Sequence, residues 1–181
     1  SLSLTHESRK KDNAKCMRRF CLDKPEDEVK FIKADPNDLK RSQDVTLCVG
    51  MPLLVHRTCK KDEEFNSEMW TVAELKEKSF LMVRQKTDAD REREATGMEV
   101  MIEPHEIKYD DFQHRCWPGF CITAHAAQGK TLRGRFTVYD WDHPFADDTF
   151  RYVCMSRATC CENVQIHVGE IDPDMSWMED F

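Results

Sequence analysis

One segment, ITAHAAQGKTL at residues 122–132, concentrates side chains that can bind a ligand. It places a hydroxyl, an imidazole and an amide after an apolar strand pattern, with a glycine that lets another group approach the backbone closely. Ligands bind at the carboxyl ends of strands in open α/β sheets. The segment therefore predicts a binding site that uses Thr123, His125, Gln128 and Gly129.

A second segment, YVCMSRAT at residues 152–159, places Arg157 at the end of an apolar-faced helix pattern. Asp147, Asp148 and Thr149 are the candidate N-caps of this helix. A lone arginine on a helix can be solvated, held in a salt bridge or functional. The residues of this segment alone leave the three alternatives open.

The tripeptide Gly129-Lys130-Thr131 has the ending of a phosphate-binding P-loop but not its beginning. The pattern G-x-x-x-x-G-K-[ST] would place its first glycine at Ala124, and the nearest preceding glycine is Gly119. Because alanine carries a Cβ, the tight cradle of backbone N–H groups cannot form. No P-loop is predicted here.

Both segments fall in a stretch where strand and helix patterns alternate. After Gly119 the order is strand, turn, helix, strand, helix and strand, which is typical of a parallel sheet with covering helices. The chain also begins with a strand pattern that leads into a helix at about residues 7–20. These patterns predict an α/β domain made of residues 1–64 and 119–181, interrupted by a small β-barrel at residues 65–118.

The strands expected in the middle of the chain are short and separated by polar turns. KTDADREREATG at residues 86–97 is polar almost throughout and predicts a mobile hairpin loop. Strands are expected at residues 29–32, in two halves around a turn within 45–58, and at 69–75, 79–85 and 98–112.

Composition excludes several classes of protein. Apolar residues make up 40% of the chain and charged residues 34%, which argues against a disordered chain or a collagen-like fibre. No apolar run approaches the roughly 18 residues of a membrane-spanning helix, so no membrane partner is expected.

Nine cysteines without a C-x-x-C pair are typical of reduced thiols in an intracellular compartment, nucleus or cytoplasm. We expect most of them to be buried as small hydrophobic residues and expect no metal site.

The net charge of −7 argues against a protein that coats nucleic acid through bulk electrostatics. Residues 1–20 nevertheless carry six Lys and Arg residues against two acids, so a phosphate backbone could bind along a defined track. Asp140 and Asp142 are interpreted as solvated loop acids, and the acidic end at residues 171–181 as a flexible tail.

The two C-terminal segments together resemble motifs V and VI of superfamily 1 helicases of the RecD/Pif type, whose patterns run near T-x-H-x-x-Q-G-x-T-L and Y-V-A-x-S-R-A. The opening SLSLTHESRKKDNAK resembles motif IV, and VTLCVGMPLLVHRT resembles the V-G-x-x-V-M strand pair of the family. The resemblance implies a second RecA-like domain with a small SH3-like β-barrel inserted at residues 65–118. Ala126 and Ala127 stand where the family often has Lys-Ser. One cation that would contact the nucleic acid backbone is therefore missing, which implies a lower affinity for single-stranded nucleic acid.

The resemblance also implies a role for each candidate residue. ATP and Mg²⁺ would be bound mainly by a first RecA-like domain that lies outside these residues, so the chain is expected to be a piece of a longer protein. Arg157 would be the arginine finger that stabilises charge on the transferred phosphoryl group. The ATP cleft would also include Gln128, Gly129 and Arg9, and single-stranded DNA would contact Thr123, His125, Thr5 and His6.

Three interpretations follow from the residues and the resemblance. The first is the C-terminal part of an ATP-dependent DNA helicase, with 5′→3′ direction implied by the RecD/Pif group. The second is a catalytically silent module that binds nucleic acid or assists assembly and retains the fold. The third is a superfamily 1 RNA helicase. A P-loop and an acidic Mg²⁺ motif upstream of Ser1 would favour a motor over the silent module.

Overall fold

The computed structural model describes residues 1–58 and 66–169. These residues form two compact units, one made of residues 1–16 with the described residues from 120 onward, and the other of Met17–Gly119. The tail expected at residues 171–181 lies outside the described residues. Within the described residues, no helix is both long and apolar enough to cross a membrane.

The first unit is built on a four-stranded parallel sheet with the order β11-β10-β1-β9. Its central strand β1 comes from the start of the chain, and Leu2 pairs with Val138 on one side and Ile122 on the other. All three side chains are buried, so the sheet is held by apolar contacts as well as by its ladder. The strands are β1 (Leu2–Ser3), β9 (Ile122–Thr123), β10 (Phe136–Val138) and β11 (Val164–Ile166).

Two longer helices accompany this sheet, α1 (His6–Cys21) and α4 (Asp148–Met155). Helix α1 begins where Thr5 Oγ1 accepts a hydrogen bond from the Ser8 N–H at 3.1 Å, as an N-cap residue does. Asn13 binds the sheet through both ends of its amide, because Nδ2 donates to the Cys121 carbonyl at 3.0 Å and Oδ1 accepts from the Cys121 N–H at 2.8 Å. A parallel sheet with helices confirms the predicted α/β fold.

The second unit contains antiparallel strands only, among its described residues. Strand β2 (Val29–Ile32) pairs with β3 (Val45–Cys48), and a five-stranded sheet has the order β7-β6-β5-β4-β8. Its core includes Leu53, Trp70, Val72, Phe80 and Ile107, all at most 2% exposed. The strands of this sheet are β4 (Pro52–Val55), β5 (Met69–Leu75), β6 (Ser79–Arg84), β7 (His105–Lys108) and β8 (Cys116–Pro118).

The boundaries at residues 64, 65, 118 and 119, and the SH3-like character of the insertion, stay predictions. Strand β4 lies before residue 65 and is hydrogen-bonded to β5 and β8, so the five-stranded sheet draws on both sides of that boundary.

The prediction of a mobile hairpin loop at residues 86–97 is wrong, because the segment contains helix α2 (Asp88–Ala95). Thr87 Oγ1 accepts from the Asp90 N–H at 3.2 Å, and Asp90 Oδ2 accepts from the Thr87 N–H at 2.8 Å, which closes a capping box. Arg84 Nη1 also binds Asp90 Oδ2 at 2.7 Å.

Two further expectations about elements differ from the structure. The helix expected within residues 126–132 does not form. Residues 124–129 are turns, and Gly129 has a left-handed φ of 76° that a regular helix does not accommodate. Of the strand expected at residues 98–112, only β7 forms, and it is followed by the short helix α3 (Phe112–Arg115).

Candidate functional site

Polar groups follow three neighbouring strands of the parallel sheet in the first unit. Thr123 ends β9, Thr5 follows β1 and Asp140 follows β10. Because parallel strands end at the same edge, these residues mark the carboxyl edge of the sheet, where α/β proteins bind ligands. This edge is the candidate site.

The turn after β9 presents the polar side chains of the first segment. Thr123 Oγ1 accepts a hydrogen bond from the Ala126 N–H at 3.3 Å, and the Thr123 carbonyl accepts from the Ala127 N–H at 3.1 Å. Ala127 is buried, whereas His125 and Gln128 are exposed. The small buried residue therefore anchors a turn whose imidazole and amide are available to a ligand.

Arg157 lies at the end of α4, whose position is fixed by its N-cap and its apolar face. Asp147 Oδ1 accepts from the Phe150 N–H at 2.7 Å, which confirms Asp147 among the three N-caps considered. Phe150 and Cys154, one turn apart, are the buried residues of the helix.

The guanidinium of Arg157 is bound to the segment that follows Gly129. Its Nη1 donates to the Lys130 carbonyl at 3.1 Å, its Nε to the Val153 carbonyl at 3.2 Å and its Nη2 to Ser156 Oγ at 3.2 Å. The Arg157 carbonyl in turn accepts from the Leu132 N–H at 2.8 Å. These partners are uncharged, so they orient the half-exposed cation without neutralising it. The structure thus joins Arg157 to Lys130 and Leu132, in the segment that directly follows Gln128 and Gly129.

Asp140 is a member of the site that the sequence interpretation missed. Its Oδ2 accepts from the N–H groups of Leu4 and Thr5 at 2.9 and 3.0 Å, and its Oδ1 accepts from the Ser8 hydroxyl. The interpretation of Asp140 as a solvated loop acid is therefore wrong. Its backbone has a φ of 61°, in the left-handed region that aspartate adopts more readily than most non-glycine residues.

Thr5 and His6 lie in the turn that Asp140 holds. The Thr5 hydroxyl is within hydrogen-bonding distance of Ser8 Oγ at 3.0 Å and of Asp140 Oδ2 at 3.3 Å. His6 is the first residue of α1 and is half-buried. The structure places both residues at the same sheet edge as Thr123, and their predicted contact with a nucleic acid stays a prediction.

Arg9, a candidate for the ATP cleft, lies on the buried face of α1 and is 0% exposed. Burial lowers the pKa of its guanidinium to about 10, and the nearby Cys121 thiol opposes this effect. A neighbouring buried group on the same helix is Asp12, whose Oδ1 accepts from the Tyr139 hydroxyl at 3.0 Å. Desolvation and proximity to Asp12 raise the pKa of Tyr139. The predicted role of Arg9 stays a prediction.

No group of three or more His, Cys, Asp or Glu side chains that could hold a metal ion occurs among residues 1–58 and 66–169. The sheet edge carries the carboxylate of Asp140, whose oxygens already accept hydrogen bonds from Leu4, Thr5 and Ser8.

Comparison with solved structures identifies relatives of this fold. A structure of two coordinating Pif1 helicases that unwind forked duplex DNA has a TM-score of 0.59 and 15% identity, over 91% of this chain and 38% of that chain. Bacteroides Pif1 bound to single-stranded DNA has a TM-score of 0.58 and 14% identity, over 91% and 39%. Bacteroides Pif1 helicase in complex with ADP-AlF3 and single-stranded DNA has a TM-score of 0.56 and 14% identity, over 92% and 40%.

The likeness to Pif1 structures confirms the predicted RecA-like α/β fold. This chain spans about two fifths of the length of those proteins. No protein-family model and no curated protein matches the sequence.

Proposed function

We propose that this chain is the second RecA-like domain of an ATP-dependent DNA helicase and supplies the arginine finger of its ATP site. The observation that carries the proposal is the guanidinium of Arg157, which is bound to the Lys130 carbonyl directly after Gln128 and Gly129. The fold shared with Pif1 helicases supports it.

Arg157 has the chemistry that a phosphoryl-transfer site requires. Its partners are carbonyl and hydroxyl oxygens, so its positive charge remains available for the oxygens of a transferred phosphoryl group. An arginine finger contributes about 10³–10⁵ to the rate of such reactions. Gln128 and Gly129 would line the same cleft, with Arg9 as a further member. The P-loop that holds ATP and the acids that hold Mg²⁺ would come from a first RecA-like domain of the same parent protein.

The single-stranded DNA track would use Thr123 and His125 together with Thr5 and His6. Hydroxyl and imidazole groups that bind phosphates fix the position of a strand without reading its sequence. The exposed imidazole of His125 is accessible to such a strand. Thr5 would bind it only by exchanging one of its hydrogen bonds to Ser8 or Asp140. The resemblance to the RecD/Pif group favours movement of the parent protein along single-stranded DNA in the 5′→3′ direction.

One continuous segment links the two halves of the proposed site. In residues 123–132, the proposed contacts with single-stranded DNA come first and the proposed contacts with ATP follow. The segment ends with the hydrogen bonds that join Lys130 and Leu132 to Arg157. A change in nucleotide state that moves Arg157 would therefore also move the segment that binds DNA. A translocating motor requires this coupling between ATP hydrolysis and DNA binding.

The decisive experiment measures single-strand-stimulated ATP hydrolysis by the parent protein. Arg157→Ala is expected to lower kcat by about 10³ or more, and Arg157→Lys to recover part of it, because lysine keeps the charge but loses the planar fork. Arg135→Ala, which removes an exposed arginine of the same unit, is the matched control and should retain full activity. Full stimulated activity in Arg157→Ala would overturn the assignment of the finger.

The isolated chain is expected to behave alike whether it is part of a helicase or a silent module, so two other observations separate the alternatives. The purified 181 residues should hydrolyse no ATP and should bind single strands weakly, with an affinity that falls as salt rises. Comparing DNA with RNA as the stimulating strand distinguishes the two kinds of helicase. A parent protein without any P-loop would support the silent binding module instead.

A further inference from the structure

Two cysteines distant in sequence meet in the second unit. Cys21 is the last residue of α1 and Cys48 is the last residue of β3. Their Sγ atoms are 3.0 Å apart, and the Cys21 thiol also lies 3.6 Å from the Thr46 carbonyl. A disulfide bond is about 2 Å long, so the sulfurs need to approach by only about 1 Å to bond.

The two thiols differ in exposure. Cys48 is 0% exposed, and burial together with the neighbouring Cys21 thiol raises the pKa of Cys48 to about 12. Cys48 therefore keeps its proton at neutral pH. Cys21 is only half-buried, so a reagent in solution can reach it. The positive charge of Lys24 opposes part of the rise in the pKa of Cys48.

We propose that Cys21 and Cys48 are a redox-active pair, which forms a reversible disulfide when the chain meets a low-molecular-weight disulfide such as oxidised glutathione. The Cys21 thiolate attacks one sulfur of glutathione disulfide, whose S–S bond breaks, so that a mixed disulfide forms and one glutathione thiolate leaves. Cys48 then gives its proton to solvent and attacks the Cys21 sulfur. The new bond forms as the second glutathione leaves, so the protein loses two electrons and glutathione disulfide gains them.

The expected consequence is a covalent link between the end of α1 and the end of β3. The link closes a loop that contains β2, and a closed loop restricts the unfolded chain more than the folded one. Oxidation should therefore make the second unit harder to unfold. Both cysteines lie outside the segment 123–132 and α4, and Cys21 lies at the opposite end of α1 from His6 and Arg9.

Peptide mapping of the oxidised chain tests the proposal directly. The chain is incubated with oxidised glutathione, the remaining thiols are alkylated, and trypsin then releases residues 20–30 and 42–57, each of which contains one cysteine. A non-reduced digest should contain these two peptides joined with the loss of two hydrogen atoms, and dithiothreitol should separate them. Oxidation should also raise the urea midpoint of unfolding.

Matched variants exclude a nonspecific reaction of thiols. Cys16→Ser removes another half-buried thiol of α1 and should leave the joined peptide unchanged. Cys21→Ser should abolish the joined peptide. The proposal is overturned if the wild-type digest instead contains Cys21 as a stable glutathione adduct with Cys48 alkylated, or contains Cys48 joined to a different cysteine. The wild-type digest decides the matter even if a variant does not fold.

Discussion

Replacing Asp140 should destabilise the first unit, because its carboxylate holds the turn between β1 and α1. The Leu4 and Thr5 N–H groups donate to Oδ2, and the Ser8 hydroxyl donates to Oδ1. Hydrogen bonds to a charged acceptor contribute about 1.5–3 kcal/mol each where water cannot replace them. Asp140 is half-exposed, so water recovers part of this energy. We expect Asp140→Ala to lower the free energy of unfolding by about 2–4 kcal/mol.

The backbone of Asp140 allows the contribution of the carboxylate to be separated from strain. At a φ of 61°, alanine adds a left-handed cost of about 1–2 kcal/mol that glycine and asparagine largely avoid. Asparagine also keeps one oxygen for the two N–H groups. The expected loss of stability therefore increases in the order Asp140→Asn, Asp140→Gly, Asp140→Ala.

Urea unfolding followed by far-UV circular dichroism measures these differences. Asp142→Ala removes an exposed acid two residues further along and should change the free energy of unfolding by less than about 0.5 kcal/mol. If Asp140→Ala unfolds at the same urea concentration as Asp142→Ala, the hydrogen bonds to Asp140 do not stabilise the turn, and the reasoning fails.

Three other variants have expected effects on urea unfolding. Asn13→Ala leaves the N–H and carbonyl of Cys121 without their amide partner and should cost about 2–4 kcal/mol. Gly119→Ala places a Cβ 3.1 Å from the backbone of Leu53 and should cost about 1–3 kcal/mol. Arg84 first, and then Thr87, hold the pKa of Asp90 below its ordinary value, so this carboxylate stabilises the fold above about pH 4 and loses that effect as pH falls. Asp90→Asn should therefore cost about 1 kcal/mol at pH 7 and progressively less towards pH 2.

For each of these three predictions, one result of the unfolding measurement would contradict the reasoning. An unchanged midpoint for Asn13→Ala would mean that water replaces the amide. Wild-type stability in Gly119→Ala would mean that the chain shifts away from Leu53 without cost. A penalty for Asp90→Asn that is equal at low and neutral pH would mean that the charge of Asp90 contributes nothing.

The parts of the site that sequence predicts are those that depend on local pattern. The spacing of residues 122–132 and 152–159 indicates a turn and a helix end. Position before an apolar helix limits the N-cap to Asp147, Asp148 or Thr149, of which the structure uses Asp147. The contact between Arg157 and the Lys130 carbonyl joins groups 27 residues apart, and only the folded chain provides it.

The features that the sequence interpretation missed depend on tertiary contacts or on an unusual local signal. Asp140 looks solvated in sequence because the N–H groups that it binds lie about 135 residues earlier. Helix α2 has aspartate rather than glutamate or glutamine at N3, the last residue of its capping box. The polar sequence of the helix therefore resembles that of a loop. The Cys21–Cys48 contact is equally nonlocal, because apolar patterns do not reveal which buried thiols are neighbours.

The position of β1 between β9 and β10 has a consequence for biosynthesis. A ribosome releases the first strand long before the two strands that flank it, whereas the second unit is contiguous and emerges in between. At about 5–20 residues per second, the edges of β1 wait on the order of ten seconds for their partners. Over that interval β1 has neither of its partner strands, so the parallel sheet of the first unit can form only after residue 138 has been synthesised.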